Sequence, residues 1–326
     1  MSTSSPAKQS GKMTINLPGV IKTLGENLYS DPGVSLRELI QNANDTCIIR
    51  RIDEPEAPQS EIHVRFDAWK RLLVVEDNGA GMTEDEAKKF LAVIGSSNTE
   101  QVRSRLEEMG QGDMAHRLIG RFGLGLLSAF IIGDRVEFVT LSYKDGAEPI
   151  WWECDGGQEY SMGPAFDKTE IGTTVTIYVN PKHLGMLLEE KLTELIHLYA
   201  DLLQVPIYLD PRPNPVNIMS APWDHEASEA EYRKFVTERY PDEAILDVIP
   251  LEINEDEGKF QVGGVLFIPK QPLFIVKEHG DVTVYVRRML VSQNERTLLP
   301  EWAKFVKGIV TSPNLVYNCT FRENLS

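Results

Sequence analysis

The amino-acid sequence predicts an α/β protein with two domains. Its 326 residues are about twice a typical domain length of roughly 150 residues. Apolar residues recur at helical spacing in some segments and in strand-length runs in others, and the two kinds of segment are interspersed along the chain. Between residues 210 and 215 proline occupies every second position, which is typical of a stiff junction between domains.

The first 209 residues predict a tail followed by helices and strands. Residues 1–12 are polar and serine-rich, which indicates a flexible tail without the apolar stretch of a signal peptide. Apolar residues on one face predict helices at 17–29, 35–51, 84–93, 126–132 and 186–203. Apolar runs of strand length predict strands at 61–66, 71–76, 135–142, 150–154, 173–179 and 205–209.

The sequence also predicts a lid within the first domain and a junction between the two domains. Residues 95–119 are polar, charged and contain glycine, so we expect a mobile loop or lid whose middle is helical. We take residues 210–222 as the junction, which leaves a first domain at 13–209 and a second at 223–326. The second domain is predicted to contain helices at 228–240 and 300–308 and strands at 244–253, 263–269 and 282–287.

Charge and cysteine content exclude several classes of protein. The sequence has 33 Lys and Arg residues and 49 Asp and Glu residues, so its formal net charge is −16. This negative charge argues against a protein that binds nucleic acids generally or binds anionic membranes. Cys47, Cys154 and Cys319 lack a CxxC spacing, so neither a disulfide framework nor a structural zinc site is expected. No segment approaches the roughly 18 apolar residues of a membrane span, and we expect a soluble, cytoplasmic protein.

Three polar residues share one face of the predicted helix at 35–51. Glu38, Asn42 and Asp45 are spaced i, i+4 and i+7 beside the apolar face. An amide oxygen can ligate Mg²⁺, and a carboxylate can orient or deprotonate an attacking water. Taken alone, this spacing is more simply explained by a solvated polar stripe.

A turn sequence, Asp77-Asn78-Gly79-Ala80-Gly81, follows the predicted strand at 71–76. A buried aspartate at that point can accept a hydrogen bond from the exocyclic amine of adenine, whereas guanine presents a carbonyl there. Gly79 and Gly81 would let the backbone approach a flat ring closely. An ordinary Asn-Gly turn between two elements is the simpler interpretation of the segment alone.

A second glycine-rich segment precedes the predicted helix at 126–132. Its sequence, GRFGLG at 120–125, is called the glycine-rich loop below. Backbone N–H groups and the helix dipole could hold phosphates there. The spacing is neither that of a Rossmann fingerprint nor that of a P-loop, and by itself it is compatible with a plain loop-to-helix turn.

The order of these motifs resembles the GHKL superfamily of ATPases, and individual stretches resemble its heat-shock protein 90 chaperones. The matching motifs lie at 36–45 (LRELIQNAND), 94–99 (IGSSNT) and 119–130 (IGRFGLGLLSAF). Past the junction, 263–269 (GGVLFIP) and 285–288 (YVRR) look like the first part of the chaperones' middle domain. The resemblance implies an N-terminal two-layer α/β sandwich of the Bergerat ATP-binding type, with a mixed sheet, followed by a second α/β domain.

The resemblance also implies a role for each matching residue. Glu38 would be the general base or water-orienting residue, and Asn42 would ligate a Mg²⁺ ion that bridges the phosphates of ATP. Asp77 would bind the adenine amine with support from Thr173 through water, and Arg322 would reach the γ-phosphate from the second domain. The other residues expected to contact ATP or ADP are Asp45, Gly79, Gly81, Met82, Ser97, Asn98, Thr99, Gly120, Arg121, Phe122, Gly123, Leu124 and Gly125.

The function implied is that of an ATP-dependent chaperone of the heat-shock protein 90 type. Such a protein binds and hydrolyses ATP with Mg²⁺, and the cycle closes the lid and remodels client proteins. The alternative is a nucleotide-binding interaction module with little or no hydrolysis, which Ser96 favours because the chaperones usually have lysine there. A GHKL protein acting on DNA is disfavoured by the acidic balance.

The expected partners are unfolded or partly folded client proteins, with no nucleic acid and no membrane. The apolar run at 272–276 is better interpreted as a core strand than as a client-contacting loop. The chain stops soon after Arg322, so we expect it to be part of a longer protein. A homodimer is expected only if a C-terminal domain absent from this sequence exists.

Overall fold

The computed structural model describes residue 19 and residues 31–93, 98–110, 112–115, 117–120, 125–156, 159–255, 260–270, 282–295 and 298–313. Predictions that lie outside these described residues concern the tail at 1–12, nearly all of the helix at 17–29, Ser97, Arg121, Phe122, Gly123, Leu124, the apolar run at 272–276 and Arg322. Within the described ranges, no helix combines the length and the apolar character needed to cross a membrane.

The first sheet has seven strands in the order β5–β4–β3–β6–β2–β1–β7. They are β1 (Ile62–Asp67), β2 (Leu72–Asp77), β3 (Gly133–Leu141), β4 (Ile150–Cys154), β5 (Tyr160–Pro164), β6 (Gly172–Val179) and β7 (Ile207–Leu209). All neighbours are antiparallel except β1 and β7, which are parallel, so the sheet is mixed. Because β2 pairs with β6, Asp77 lies directly opposite Thr173.

Helices accompany this sheet. They are α1 (Gly33–Asp53), α2 (Glu84–Phe90), α3 (Asn98–Glu108), α4 (Gly112–Ala115), α5 (Gly125–Ile132) and α6 (Glu189–Ala200). Of these, α1, α5 and α6 pack on the sheet as its second layer. Helix α1 packs against β1, β2, α5 and α6, and its Leu36 and Ile40 are fully buried. Burying one such side chain contributes about 1.5–3 kcal/mol. Strands β2 and β6 alternate buried and half-buried residues, as expected when helices cover one face of a sheet.

A second sheet of five strands follows, in the order β11–β10–β12–β9–β8. The elements are α7 (Glu229–Arg239), β8 (Ile245–Glu255), β9 (Phe260–Pro269), β10 (Val282–Val286), β11 (Met289–Glu295) and β12 (Lys307–Ser312). Strands β10 and β12 are parallel, and the other neighbouring pairs are antiparallel. Tyr232, Phe267 and Tyr285 are buried in the core that this sheet shares with α7. The predicted fold class, mixed α/β with a second α/β unit, is confirmed.

Most elements of the first sheet lie within two residues of their predicted bounds. The helix expected at 35–51 is α1, and the strand expected at 71–76 is β2, which ends on Asp77. Helix α2 begins as predicted after Thr83, whose hydroxyl accepts from the Glu86 N–H while the Glu86 carboxylate accepts from the Thr83 N–H. This reciprocal cap explains why a helix starts at that point.

Other predictions are wrong. Residues 300–308 are not a helix, because a single 3₁₀ turn at Glu301–Ala303 is followed by strand β12. The strand begins at Lys307, inside the expected helix, because Ile309, Val310 and Thr311 just beyond it pair with both β9 and β10. Strands β5, β11 and β12 were not predicted. The helix expected at 186–203 is α6, which is preceded by a 3₁₀ helix at Pro181–Met186.

The stretch expected to be a mobile lid contains helices α3 and α4. Its middle is helical, as expected, and it is packed, since Leu106 is buried with Ile49, Ala115 and Leu118 in a small cluster. The first sheet ends at residue 209 and the second begins at 245. The domain boundary at residues 210–222 stays a prediction.

Candidate nucleotide site

The three polar residues on one face of α1 differ in their exposure to solvent. Asn42 is exposed, the Glu38 side chain is 15% exposed, and Asp45 is completely buried. Arg37 Nη2 donates to Glu38 Oε1 at 2.7 Å. This face is therefore not a solvated stripe, because its last carboxylate is enclosed by other parts of the chain.

Asp45 is bound to the backbone just before the glycine-rich loop. The N–H groups of Ile119 and Gly120 donate to its two oxygens at 2.9 and 2.7 Å. Burial raises the pKa of the Asp45 carboxyl to about 6, although these N–H groups and the nearby Arg103 charge oppose the increase. Asp45 thus holds the loop base, a name we use for residues 118–120.

Asn42 lies against the other end of the glycine-rich loop. A Cβ atom placed on Gly125 would be only 2.8 Å from Asn42 Nδ2. Gly125 is the first residue of α5, so the amide of Asn42 sits at the N-terminus of that helix. Helix α1 consequently contacts both ends of the glycine-rich loop, through Asp45 at Gly120 and through Asn42 at Gly125.

Asp77 is a buried carboxylate at the end of β2. It is 6% exposed, and its Oδ1 accepts from the Gly79 N–H at 2.9 Å and lies 3.0 Å from Thr46 Oγ1. Burial raises the pKa of Asp77 to about 7, against the effect of these hydrogen bonds. A carboxylate so placed can accept a hydrogen bond from a ligand amine.

Met82 and Thr173 are brought together by a residue that the sequence did not indicate. Thr140 Oγ1 accepts from the Met82 N–H at 2.9 Å and lies 3.0 Å from Thr173 Oγ1. Thr140 also donates to the Gly172 carbonyl at 3.2 Å. Threonine is common in strands, so nothing in its local sequence distinguishes Thr140 from its neighbours.

The lid helix α3 is fastened to the loop base by a second residue that the sequence did not indicate. The buried Arg103 donates from Nη2 to the carbonyl oxygens of Leu118 and Gly120 at 2.6 and 2.9 Å. Thr99 hydrogen-bonds to Asp45, and Asn98 begins the helix. The expected lid residues Asn98 and Thr99 therefore lie beside the loop base.

A cavity of about 500 Å³ lies next to this constellation. It is lined by Gly81 and Asn98 of the predicted set but not by Glu38, Asn42 or Asp77. Its charged groups largely pair with one another, for example Lys144 Nζ with Glu86 Oε1 at 2.6 Å. The cavity extends the site under α3, where Lys89 Nζ donates to Gln101 Oε1 at 2.8 Å.

Two family matches cover most of the chain. Residues 30–151 match the family described as histidine kinase-, DNA gyrase B-, and HSP90-like ATPase. Residues 212–326 match the family described as Hsp90 protein. The first match contains α1, the end of β2 and the glycine-rich loop, and the second contains β8 to β12.

Curated relatives match almost the whole chain. Chaperone protein HtpG of Rhodococcus jostii is 32% identical over 90% of this chain and 50% of its own length. HtpG of Mycobacterium bovis is 30% identical over 90% of this chain and 50% of its own. HtpG of Bacteroides thetaiotaomicron is 26% identical over 95% and 47%. The chain spans about half the length of the curated relatives it matches.

Proposed function

Because this chain belongs to the heat-shock protein 90 family, we propose that it binds ATP between α1, the end of β2 and the glycine-rich loop, and hydrolyses it to ADP and phosphate. Slow hydrolysis would move the lid and drive the remodelling of unfolded or partly folded client proteins. The relatives named as chaperones are about twice as long as this chain. Client remodelling is therefore proposed from those names, whereas ATP binding is proposed from the site itself.

One observation supports the site above all others. A single helix, α1, contacts the strand-end motif through Thr46 and Asp77, and both ends of the glycine-rich loop through Asp45 and Asn42. A purine recognised at Asp77 would therefore have its phosphates directed along α1 toward Gly120 and Gly125. Asp77 Oδ1 accepts from Gly79 and Thr46, so the adenine amine would use the lone pairs that remain.

The donor set on α1 fits Mg²⁺ delivered with the nucleotide. Among the described residues, no group of three or more His, Cys, Asp or Glu side chains is arranged to hold a metal ion. A cation held by the amide oxygen of Asn42 would take its other ligands from phosphates and water, and Mg²⁺ is commonly bound in this way. When bound, Mg²⁺ supplies positive charge that neutralises the phosphates.

Glu38 lies one helical turn from Asn42 and is the carboxylate proposed to act on water. Arg37 occupies its Oε1, and we assign Oε2 to orienting the attacking water and accepting its proton. The N–H groups of the glycine-rich loop would stabilise the charge that develops on the phosphoryl oxygens. Arg322, proposed to reach the γ-phosphate from the second domain, lies outside the described residues.

The test is steady-state phosphate release by the wild type and by a Glu38→Ala variant, with ADP affinity measured by calorimetry. We expect turnover to fall by about 100-fold, the range typical of a lost general base, while ADP affinity stays within about twofold. Glu190→Ala is the matched control, because Glu190 is an exposed helical carboxylate on α6. It should turn over ATP like the wild type.

A second variant separates binding from hydrolysis. Asp77→Asn keeps an oxygen for the Gly79 N–H but removes the charge, so ADP affinity should fall by about tenfold or more. Equal phosphate release from wild type and Glu38→Ala would remove the catalytic role of Glu38. Unchanged ADP affinity in Asp77→Asn would place the purine elsewhere.

A further inference from the structure

The turn between β10 and β11 has a conformation that its residues normally avoid. Arg287 and Arg288 form the two-residue connection, with φ values of +51° and +69°. Hairpin turns with two positive φ angles are usually built from Asn-Gly or Gly-Gly, since a Cβ atom makes the left-handed conformation unfavourable. Two consecutive arginines in this state indicate that their side chains supply interactions that glycine could not.

Arg287 reaches from this turn to the first sheet's site. Its Nη1 donates to the carbonyl oxygen of Leu118 at 2.6 Å, and its Nε donates to the Pro313 carbonyl at 3.4 Å. Arg288 points to other groups, since it donates to the Leu202 carbonyl and forms a two-pronged ion pair with Asp224. Adjacent arginines of one turn therefore have distinct partners.

The Leu118 carbonyl is the oxygen that also accepts from Arg103 of the lid helix. The same three-residue loop base receives Asp45 of α1 at the Ile119 and Gly120 N–H groups. Leu118 is fully buried, so its carbonyl is bound by two guanidinium groups away from water. Helix α1, the lid helix and the second sheet thus meet at residues 118–120.

We propose that Arg287 is a positioning residue that couples the second sheet to the glycine-rich loop and the lid. Its guanidinium fixes the Leu118 carbonyl, and this fixes the direction in which the chain enters the loop at Gly120. The proposal rests on the proposed function for its catalytic consequence, because the loop is the expected phosphate-binding element. Arg287 itself touches no expected ligand atom, so its effect is on the arrangement of the site.

The test compares Arg287→Gln, Arg287→Lys and Arg288→Gln in the full chain. Loss of a buried hydrogen bond from a charged donor should lower kcat of Arg287→Gln by about tenfold and leave KM within about twofold. Arg287→Lys keeps a cation that can reach the carbonyl and should recover part of kcat. Arg288→Gln alters the same turn without a contact to the loop base and should keep kcat within about twofold.

A measurement without nucleotide keeps this proposal separate from the proposed function. Hydrogen–deuterium exchange of the peptide containing Ile119 and Gly120 should accelerate by about tenfold in Arg287→Gln and not in Arg288→Gln. If the wild type hydrolyses no ATP, the proposed function fails, while exchange still reports whether Arg287 holds the loop base. Unchanged exchange and unchanged kcat in Arg287→Gln would overturn the coupling.

A glycine variant covers the case in which Arg287→Gln fails to fold. Arg287→Gly relieves the left-handed strain of the turn, so it should fold at least as well as Arg287→Gln. The side-chain contact is lost in both, so exchange at Ile119 and Gly120 should accelerate in both. A glycine variant that protects these amides like the wild type would show that the side chain has no positioning role.

Discussion

Two turns of this molecule adopt left-handed backbone for opposite reasons. At the end of β2, Gly81 has a φ of +59°, and a Cβ atom there would lie 1.9 Å from the Leu141 carbonyl oxygen. At the β10–β11 turn, Arg287 and Arg288 adopt similar φ angles with full side chains. The first turn requires the absence of a side chain, whereas the second carries side chains whose partners lie in distant parts of the chain.

The comparison shows how each turn serves the site. The backbone around Gly81 packs against the end of β3, and this close approach leaves Met82 in position to donate to Thr140. The Arg287 turn acts through its guanidinium group, which binds the loop base from the second sheet. Substitutions in the first turn should therefore affect folding, and substitutions in the second should affect the coupling between the sheets.

The largest change in the free energy of unfolding is expected from Gly81→Ala. The added methyl group would overlap the Leu141 carbonyl, so the backbone must shift, and we expect a loss of about 3 kcal/mol or more in the free energy of unfolding. Urea denaturation followed by circular dichroism measures this change. Gly146→Ala is the control, because Gly146 has a φ of +73° but no atom within 4 Å of the added carbon.

The control separates steric overlap from backbone strain. Gly146→Ala should lose only about 1 kcal/mol, the strain of a left-handed alanine. Equal losses in the two variants would mean that the contact with Leu141 is not what makes Gly81 necessary.

A change of intermediate size in the free energy of unfolding is expected when the Asp77 carboxyl titrates. Its pKa is raised from 3.8 to about 7 by burial, so the folded state binds more protons than the unfolded state between these values. Stability from this group is therefore present below pH 4 and is lost as the pH rises to about 7. The side chain of Asp77→Asn does not titrate. Between pH 5 and pH 8 the free energy of unfolding of the wild type should therefore fall by about 2–3 kcal/mol relative to that of Asp77→Asn.

Urea denaturation of the wild type and of Asp77→Asn at pH 5 and pH 8, without nucleotide, measures this difference in the free energy of unfolding. The second turn supplies the comparison, since a guanidinium stays charged throughout this range and Arg287→Gln should parallel the wild type. Parallel pH profiles for the wild type and Asp77→Asn would show that the Asp77 carboxyl titrates near its ordinary pKa.

The first turn was largely predictable from sequence, and the second was not. The Asp77–Gly81 segment contains its own signals, namely an apolar strand before it and glycines within it, so the position of Asp77 at a strand end follows from local pattern. The left-handed turn at Arg287 and Arg288 has no such signal. Its contacts join residues 169 positions apart, from Leu118 to Arg287.

The same distinction explains the other outcomes. Helical spacing places Glu38, Asn42 and Asp45 on one face of α1. It does not predict that, of these three residues, Asp45 is the one bound by the N–H groups of residues 119 and 120. Strand β12 was not predicted, because its pairing with β9 and β10 is non-local. Arg103 and Thr140 were missed because the contacts that tie them to the site are made largely with backbone groups of distant segments, which carry no sequence signature.

The smallest effect is expected from Arg288→Gly, where two opposing terms nearly cancel. Glycine relieves the left-handed strain at φ +69°, a gain of about 1 kcal/mol. It also loses the ion pair with Asp224, a partly exposed pair that contributes about 0–1 kcal/mol, and one hydrogen bond to Leu202. The free energy of unfolding should therefore change by less than about 1 kcal/mol, as urea denaturation can determine. A loss as large as that of Gly81→Ala would show that both turns are fixed by packing, and the contrast between them would disappear.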